Sequence, residues 1–287
     1  MKKIAYSLFK KSILLFTGKG LGKIKIIDRT YHYLLPRLKP EFINIYGFKL
    51  ITDKDDSLGL SVFNNYEEKV IKLIRSNLKK GDIVCDIGAH IGYHTLVMSK
   101  AVGNRGKVYA FEPDTENFNT LNLNLILNNI TNVISIQKAV SNKEGNTKLY
   151  KNPNNRSDNR ILTYQDGFSS EVVETTSLDK YFDNAPKLDF VKMDIQGAEA
   201  LAVDGMKNII KKNNDLKMIM EFRPSGNKSS SLKFLNNLDV NNFNVYYIDE
   251  EKDELELLSA EKILQLALDK IEINIFCTRQ RVNSLDD

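Results

Sequence analysis

Residues 83–92 read Ile83-Val84-Cys85-Asp86-Ile87-Gly88-Ala89-His90-Ile91-Gly92: an apolar run, an acid at its end, and two glycines four residues apart. A continuous apolar run between turn signals is the pattern of a strand buried on both faces of a parallel sheet. Gly88 lets the backbone turn sharply and approach a ligand without a Cβ in the way, and Gly92 lets the next helix start close to the strand. The stretch therefore predicts a strand, a tight turn and a helix.

Working outward, the same unit repeats. Tyr66 to Leu78 carries Val70, Leu73, Ile74 and Leu78 at helical spacing, and Lys80-Gly81-Asp82 turns the chain into the first strand. A helix from Tyr93 to about Ala101 leads to a strand Val108 to Phe111, which ends at Glu112. A helix Asp114 to Asn128 and a strand Val133 to Ile136 follow. Further strands are expected at Asp189 to Met193, Leu216 to Met220, Phe243 to Ile248 and Ile271 to Cys277, with helices from Ala198 and around 230–238. Apolar strands alternating with amphipathic helices predict an α/β fold, a doubly wound sheet with helices on both faces. Ligands in such sheets bind beyond the carboxyl ends of the strands, so the residues after each strand are the candidates.

The first turn has the form D-x-G-x-x-x-G, from Asp86 to Gly92. A dinucleotide fingerprint needs two glycines one residue apart to admit a pyrophosphate. Here Ala89-His90 fills that space, and Asp86 repels phosphate. A cationic amino group, such as the methionine end of S-adenosylmethionine, suits the turn better. Glu112 lies 26 residues after Asp86, at a strand end where a carboxylate can accept both hydroxyls of a ribose. Asp114, just after Pro113, is the better helix cap. The pair favours an adenosine-containing ligand without pyrophosphate, against a dinucleotide or a turn kept only for packing.

Composition bounds the rest. The chain has 287 residues, 42% apolar and 27% charged, enough for a large core and unlike a disordered or fibrous protein. Residues 1–40 hold ten basic residues and one acid, Asp28, whereas the remainder carries 31 basic and 36 acidic groups. A short basic arm is thus joined to a mildly acidic body, which argues against binding to a nucleic-acid backbone. Cys85 and Cys277 lie in separate apolar runs and read as buried thiols of a reducing, cytoplasmic setting. No apolar stretch is long enough to span a bilayer, and Lys10 and Lys11 interrupt the core a secretory signal would need.

The boundaries expected are an N-terminal extension at 1–59 and a catalytic domain at 60–287. In the extension, residues 5–16 form an amphipathic helix that ends at Gly18, Gly20 and Gly22, residues 23–60 are irregular around Pro36 and Pro40, and Phe42 to Ile51 form a hairpin around Gly47. Residues 1–22 are expected either to rest on the inner face of an anionic membrane or to pack on the body or form a homodimer.

The segments GDIVCDIGAHIGYHTLVMSK, GKVYAFEPDTENFNTLNLNLILNN, QKAVSNKEG, ETTSLDKYF and LDFVKMDIQGAEALAVDGM resemble the successive motifs of FkbM-type S-adenosylmethionine-dependent methyltransferases, over roughly residues 60–278. The resemblance implies a class I methyltransferase, Rossmann-like fold: a seven-stranded sheet whose last strand runs antiparallel between its neighbours. It implies methylation of a hydroxyl oxygen, often on a sugar or polyketide. By position, Asp86, Gly88, Ala89, His90 and Gly92 would surround the methionine part, Glu112 with Pro113 the ribose, and Lys138, Ala139 and Val140 the adenine, while Tyr66 and Glu67 match a Tyr-Glu pair that closes over the cofactor. Residues 192–199, KMDIQGAE, match a family motif with glutamate where this chain has Gln196.

Methyl transfer to oxygen asks the protein to align a hydroxyl and remove its proton. Asp194 is the candidate base, with a helix-capping role as its rival; His94 is a second candidate, and Glu221 a third group for holding the acceptor, with Arg223 placed to pair with it or with an anionic substrate. His90 and His94 lack a third ligand nearby, so no metal is expected there, and nothing in the spacing of Asp194 and Glu221 demands one. The polar stretch Lys151 to Asp166 is expected either to cover the acceptor pocket or to form a mobile, solvated excursion. The expected partner is a hydroxyl-bearing small molecule or glycan, with no nucleic acid; the rivals are an RNA or protein methyltransferase and a noncatalytic cofactor-binding or scaffold protein.

Overall fold

The structure is a computed structural model that describes residues 2–17, 24–153, 155–162, 168–183, 187–224, 226–252 and 254–282. The expected flexible stretch at Gly18, Gly20 and Gly22, and residues 163–167 of the polar segment, lie outside the described residues. The N-terminal part holds helices α1 (Lys2–Phe16) and α2 (Lys25–Leu38), the hairpin β1 (Ile43–Ile45) and β2 (Phe48–Leu50), and one helical turn, α3 (Leu60–Phe63). Helix α2 replaces the irregular segment expected around Pro36. That proline sits in the last turn, where it removes one helical bond close to the helix end, and Leu35 beside it is fully buried.

Helix α4 (Glu68–Asn77) leads into β3 (Ile83–Ile87), followed by α5 (Tyr93–Val102), β4 (Lys107–Phe111), α6 (Thr115–Leu127) and β5 (Val133–Ile136). Strands β6 (Ala139–Val140), β7 (Gly145–Lys151) and β8 (Ser169–Thr176) make a separate small sheet in the order β6-β8-β7. The main sheet resumes after α7 (Leu178–Tyr181) with β9 (Phe190–Met193), α8 (Glu199–Asp204), α9 (Lys207–Lys212) and β10 (Lys217–Phe222). It ends with α10 (Lys228–Val240), β11 (Asn244–Asp249), β12 (Glu254–Leu257), α11 (Ala260–Lys270) and β13 (Ile273–Thr278).

The main sheet has the order β5-β4-β3-β9-β10-β13-β11-β12. The strands from β5 to β10 are parallel, and β13 lies antiparallel between β10 and β11. This is the arrangement expected of a class I methyltransferase, with one correction: eight strands instead of seven. The extra strand, β12, pairs with β11 as an outer edge. Its sequence, Glu254-Leu255-Glu256-Leu257, alternates charge and leucine and has Leu257 exposed, as a short solvated edge strand does.

Two apolar layers sandwich the sheet. One holds Ile74, Leu96, Val84 and Phe276, and the other Cys85, Val191, Met220 and Ile275. Both cysteines are buried and free. The hairpin joins the first layer through Ile43, Ile45, Phe48 and Leu50. Asn124 of α6 fixes it by hydrogen bonds to the backbone N–H and carbonyl of Ile51 (2.7 and 3.0 Å), while donating to Ile91 O in the glycine turn at 2.8 Å. The chain winds outward from β3 to β5 on one side and from β9 to β10 on the other. The switch point, where a ligand crevice opens, therefore lies between β3 and β9.

Candidate active site

Two turns meet at that switch point. After β3, the N–H groups of Gly88 and Ala89 both donate to Phe111 O (2.9 and 3.0 Å), and after β9, Asp194 N–H donates to Ile87 O at 2.9 Å. The backbones are pressed together so closely that a Cβ on Gly88, whose φ is +79°, would stand 1.8 Å from Asp194 O. Gly92, φ +88°, opens α5 beside Leu121, with no room for a Cβ. His90, Gln196 and Glu67 also have positive φ (50°, 56° and 47°), a conformation side chains adopt only when the surroundings enforce it.

The cleft opens to solvent. Of the residues expected to bind cofactor, Tyr66, Gly88, Ala89, His90, Glu112, Pro113, Lys138 and Ala139 line it, together with the proposed catalytic residues Asp194 and His94. Asp86, Gly92, Glu67 and Glu221 stand behind that lining. Asp86 is fully buried and accepts from Thr95 Oγ1 at 2.5 Å, which holds β3 to α5. Ser157, Asn159, Arg160 and Ile161 bring the described part of the polar segment to the wall of the cleft.

Glu112 is buried, and its carboxylate closes the turn: Oε2 accepts from His90 N–H (2.8 Å) and Oε1 from Asp114 N–H (2.9 Å). Asp114 caps α6, accepting from the N–H groups of Glu116 and Asn117. Burial pushes Glu112 up to about 8 despite those backbone donors. Burial likewise raises Glu199 to about 7, although Ile195 N–H and Gly197 N–H donate to it. A carboxyl whose folded value exceeds its unfolded one binds more protons in the folded state between the two, so stability falls as pH rises through that window. The Tm of the cofactor-free protein is thus expected to drop between about pH 5 and 8 in scanning calorimetry. A Tm that climbs across this range would contradict the burial of these two acids.

Around Asp194 the charges are arranged by opposition. Burial works against the Lys192 ammonium, but Asp194 and then Asp86 outweigh it and keep it above the usual lysine range. Its Nζ lies 3.4 Å from Asp194 Oδ2. Burial also pushes Asp194 up, but the Lys192 charge and the Gln196 hydrogen bond override this and hold it below the usual carboxylate range. Glu221 goes the other way, raised well above that range first by burial and then by the Asp194 charge. Gln196 Nε2 donates to both, to Asp194 Oδ1 at 2.9 Å and Glu221 Oε2 at 2.7 Å. Asp194 does not cap the following helix; Glu199 takes the N–H groups of that turn. Arg223 pairs with Glu272 and lies 3.8 Å from Asp158, so its expected pairing with Glu221 is replaced.

His94, buried, has Nε2 at 3.2 Å from Glu67 Oε2, an ion-pair distance without a regular hydrogen bond. Asn274 Nδ2 donates to the other Glu67 oxygen at 2.9 Å and fixes that carboxylate. Glu67 thus lies between His94 and Asn274, outside the residues that line the cleft.

The lining fits S-adenosylmethionine on two counts: an acid at the second strand end, and buried polar atoms left without protein partners, namely both His90 ring nitrogens and Gln196 Oε1. Lys192 is a cleft residue that the sequence reading did not single out, whereas Gln196 was noted there only as a departure from the family motif. A lysine inside the apolar strand Phe190-Val191-Lys192-Met193 was the available signal for the first.

The Methyltransferase FkbM domain model matches residues 86–245, more than half of the chain. A hexuronic acid methyltransferase, AglP, of Haloferax volcanii is 27% identical over 150 residues, which is 52% of this chain and 59% of the relative's length. Similar solved structures include an rRNA methylase from Streptococcus thermophilus (12% identity, TM-score 0.45, covering 74% of this chain and 95% of that one). Another is a SAM-dependent O-methyltransferase from Thermotoga maritima (14% identity, TM-score 0.43, covering 88% and 82%). With that domain matched and its motifs assembled around one cleft, the chain belongs to the FkbM methyltransferase family, whose cofactor is S-adenosylmethionine.

Proposed function

We propose that the protein transfers a methyl group to a hydroxyl of a sugar, with a hexuronic acid as the acceptor class to examine first. The observation that carries this reading is the Glu67–His94 pair on the same cleft as Asp194, a proton acceptor with its own orienting carboxylate. The sugar class is supported by the printed activity of the archaeal relative. When bound, S-adenosylmethionine supplies an activated methyl group on a sulfonium. Glu112 would hold its ribose, the turn from Gly88 to His90 its amino-acid end, and Lys138 to Val140 its adenine. His94 takes the hydroxyl proton, Glu67 stabilises the resulting imidazolium, and ionised Asp194 faces the cationic centre. Incubation with methyl-labelled S-adenosylmethionine and a panel of hexuronic, hexose and RNA acceptors tests this. Label in a sugar ether supports it, and label in RNA overturns it.

The N-terminal arm is proposed to rest on anionic membrane. No helix among the described residues is long and apolar enough to cross one. Helix α1 has no buried residue and exposes Ile4, Leu8 and Leu15 at 64–68%, while Tyr6 Oη and Lys10 Nζ tie its other side to Ser61 O. Lys2, Lys3 and Lys11 flank the exposed apolar side chains, and each basic group near an anionic surface contributes on the order of 1 kcal/mol. Two copies meeting through this face would bring like charges together. The full chain is expected to sediment with phosphatidylglycerol vesicles in low salt and to be released by high salt, and removal of residues 2–22 to abolish binding. Vesicle binding that survives the deletion, or a dimer lost with it, would favour the packing or dimer role.

A further inference from the structure

We propose that Gln196 stands in for a divalent cation: its amide nitrogen ties Asp194 to Glu221, so that this carboxylate pair works without a metal ion. The nitrogen sits 2.9 Å from Asp194 Oδ1 and 2.7 Å from Glu221 Oε2, one N–H for each acid. The orientation of the amide follows from the ionised Asp194, because an oxygen turned toward that carboxylate would meet an acceptor. The other end, Oε1, is buried and has no protein partner. The backbone at Gln196 is left-handed, φ +56°. The Gln196 side chain is thus fixed between two elements 25 residues apart in sequence.

The charge balance gives the reason. Asp194 is held in its ionised form by Lys192, whereas Glu221 is driven toward its neutral form, so the pair carries one negative charge beside one ammonium. A carboxylate at position 196, as in the family motif that this segment otherwise resembles, would bring a third acid into the same contact. Like charges at that distance persist only with a proton or a cation between them, and oxygen-rich carboxylate sets are what hard divalent cations bind. The amide supplies two donors and no charge, and closes the gap by itself.

The inference rests on the methyl-transfer reading for its meaning, but its measurement needs neither cofactor nor acceptor. Mn²⁺ binding to the full chain, followed by electron paramagnetic resonance, compares the wild type with Glu221→Gln and Gln196→Glu. The wild type is expected to show no stoichiometric Mn²⁺ that depends on Glu221. Gln196→Glu is expected to bind one Mn²⁺ at least ~10-fold more tightly, and Gln196→Glu combined with Glu221→Gln to lose it. A wild-type Mn²⁺ site abolished by Glu221→Gln overturns the proposal, as does a folded Gln196→Glu variant that binds no better than wild type. Calorimetry with S-adenosylhomocysteine on the same samples checks that the fold and cofactor cleft are intact. Failure of the wild type to bind it would count against the methyltransferase reading alone. Where Gln196→Glu does not fold, the wild type and Glu221→Gln decide the matter.

Discussion

Gly88→Ala is expected to abolish measurable cofactor binding and to destabilise the protein by about 3 kcal/mol or more, through an overpacked contact added to an unfavourable backbone conformation. The new Cβ would stand 1.8 Å from the carbonyl oxygen of Asp194 and 3.2 Å from Ile195 Cγ2, and the φ of +79° adds strain at the same residue. The atom in the way is backbone, so no rotamer change relieves the clash. Either the turn after β3 or the turn after β9 must move, and those turns carry Glu112's partner His90 and the Asp194–Gln196–Glu221 contact. Gly197→Ala is the control: its φ is +97°, but the nearest atom to an added Cβ is Arg223 Cδ at 4.0 Å. It is expected to show the conformational cost without the collision. Tm and S-adenosylhomocysteine affinity, measured for both, separate the two effects. A Gly88→Ala variant that keeps wild-type affinity would show that the turns are not in register as described.

The contrast between those two glycines also marks where sequence reading reaches its limit. The turn from Asp86 to Gly92 is legible because its reasons are local: an apolar run, a φ that only glycine adopts easily, and a helix that starts at once. Glu112 and the Asp114 cap are legible for the same reason, each acting within a few residues of its own position. Strand β12 was missed because an edge strand with glutamates outward looks like solvated loop until its partner β11 is in place. Helix α2 was missed because Pro36 and Pro40 read as breakers, although burial of Leu35 and the bonds from Lys39 Nζ to Thr52 and Asp53 hold its end. Gln196 was visible only as a departure from a motif. Its meaning lies in Glu221, and no rule of spacing along one element connects a turn after β9 with the end of β10.

The proposed division of labour between His94 and Asp194 rests on the same long-range contacts, and substitution tests it. His94→Gln is expected to lower kcat by roughly 10²- to 10⁴-fold, the range lost with a general base, while cofactor affinity stays near wild type. Glu67→Gln should cause a smaller loss in kcat, because it removes the charge that stabilises the imidazolium but leaves Asn274 and the ring in place. Asp194→Asn should behave differently. It keeps a side chain of the same shape but leaves the Lys192 ammonium, only 4% exposed, without the partner 3.4 Å away. Removal of one member of a buried pair costs about 3–5 kcal/mol, and the neighbouring Asp86 places this case toward the lower end. The expected signature is a lower Tm and weaker cofactor binding, with a single-turnover rate at saturating cofactor that falls less than in His94→Gln. An acid held ionised by an adjacent lysine is a weak proton acceptor but a durable negative charge, which suits it to face a sulfonium rather than to deprotonate an alcohol. If Asp194→Asn instead loses turnover at full cofactor occupancy, and His94→Gln retains it, the base is Asp194 and the Glu67–His94 pair is structural.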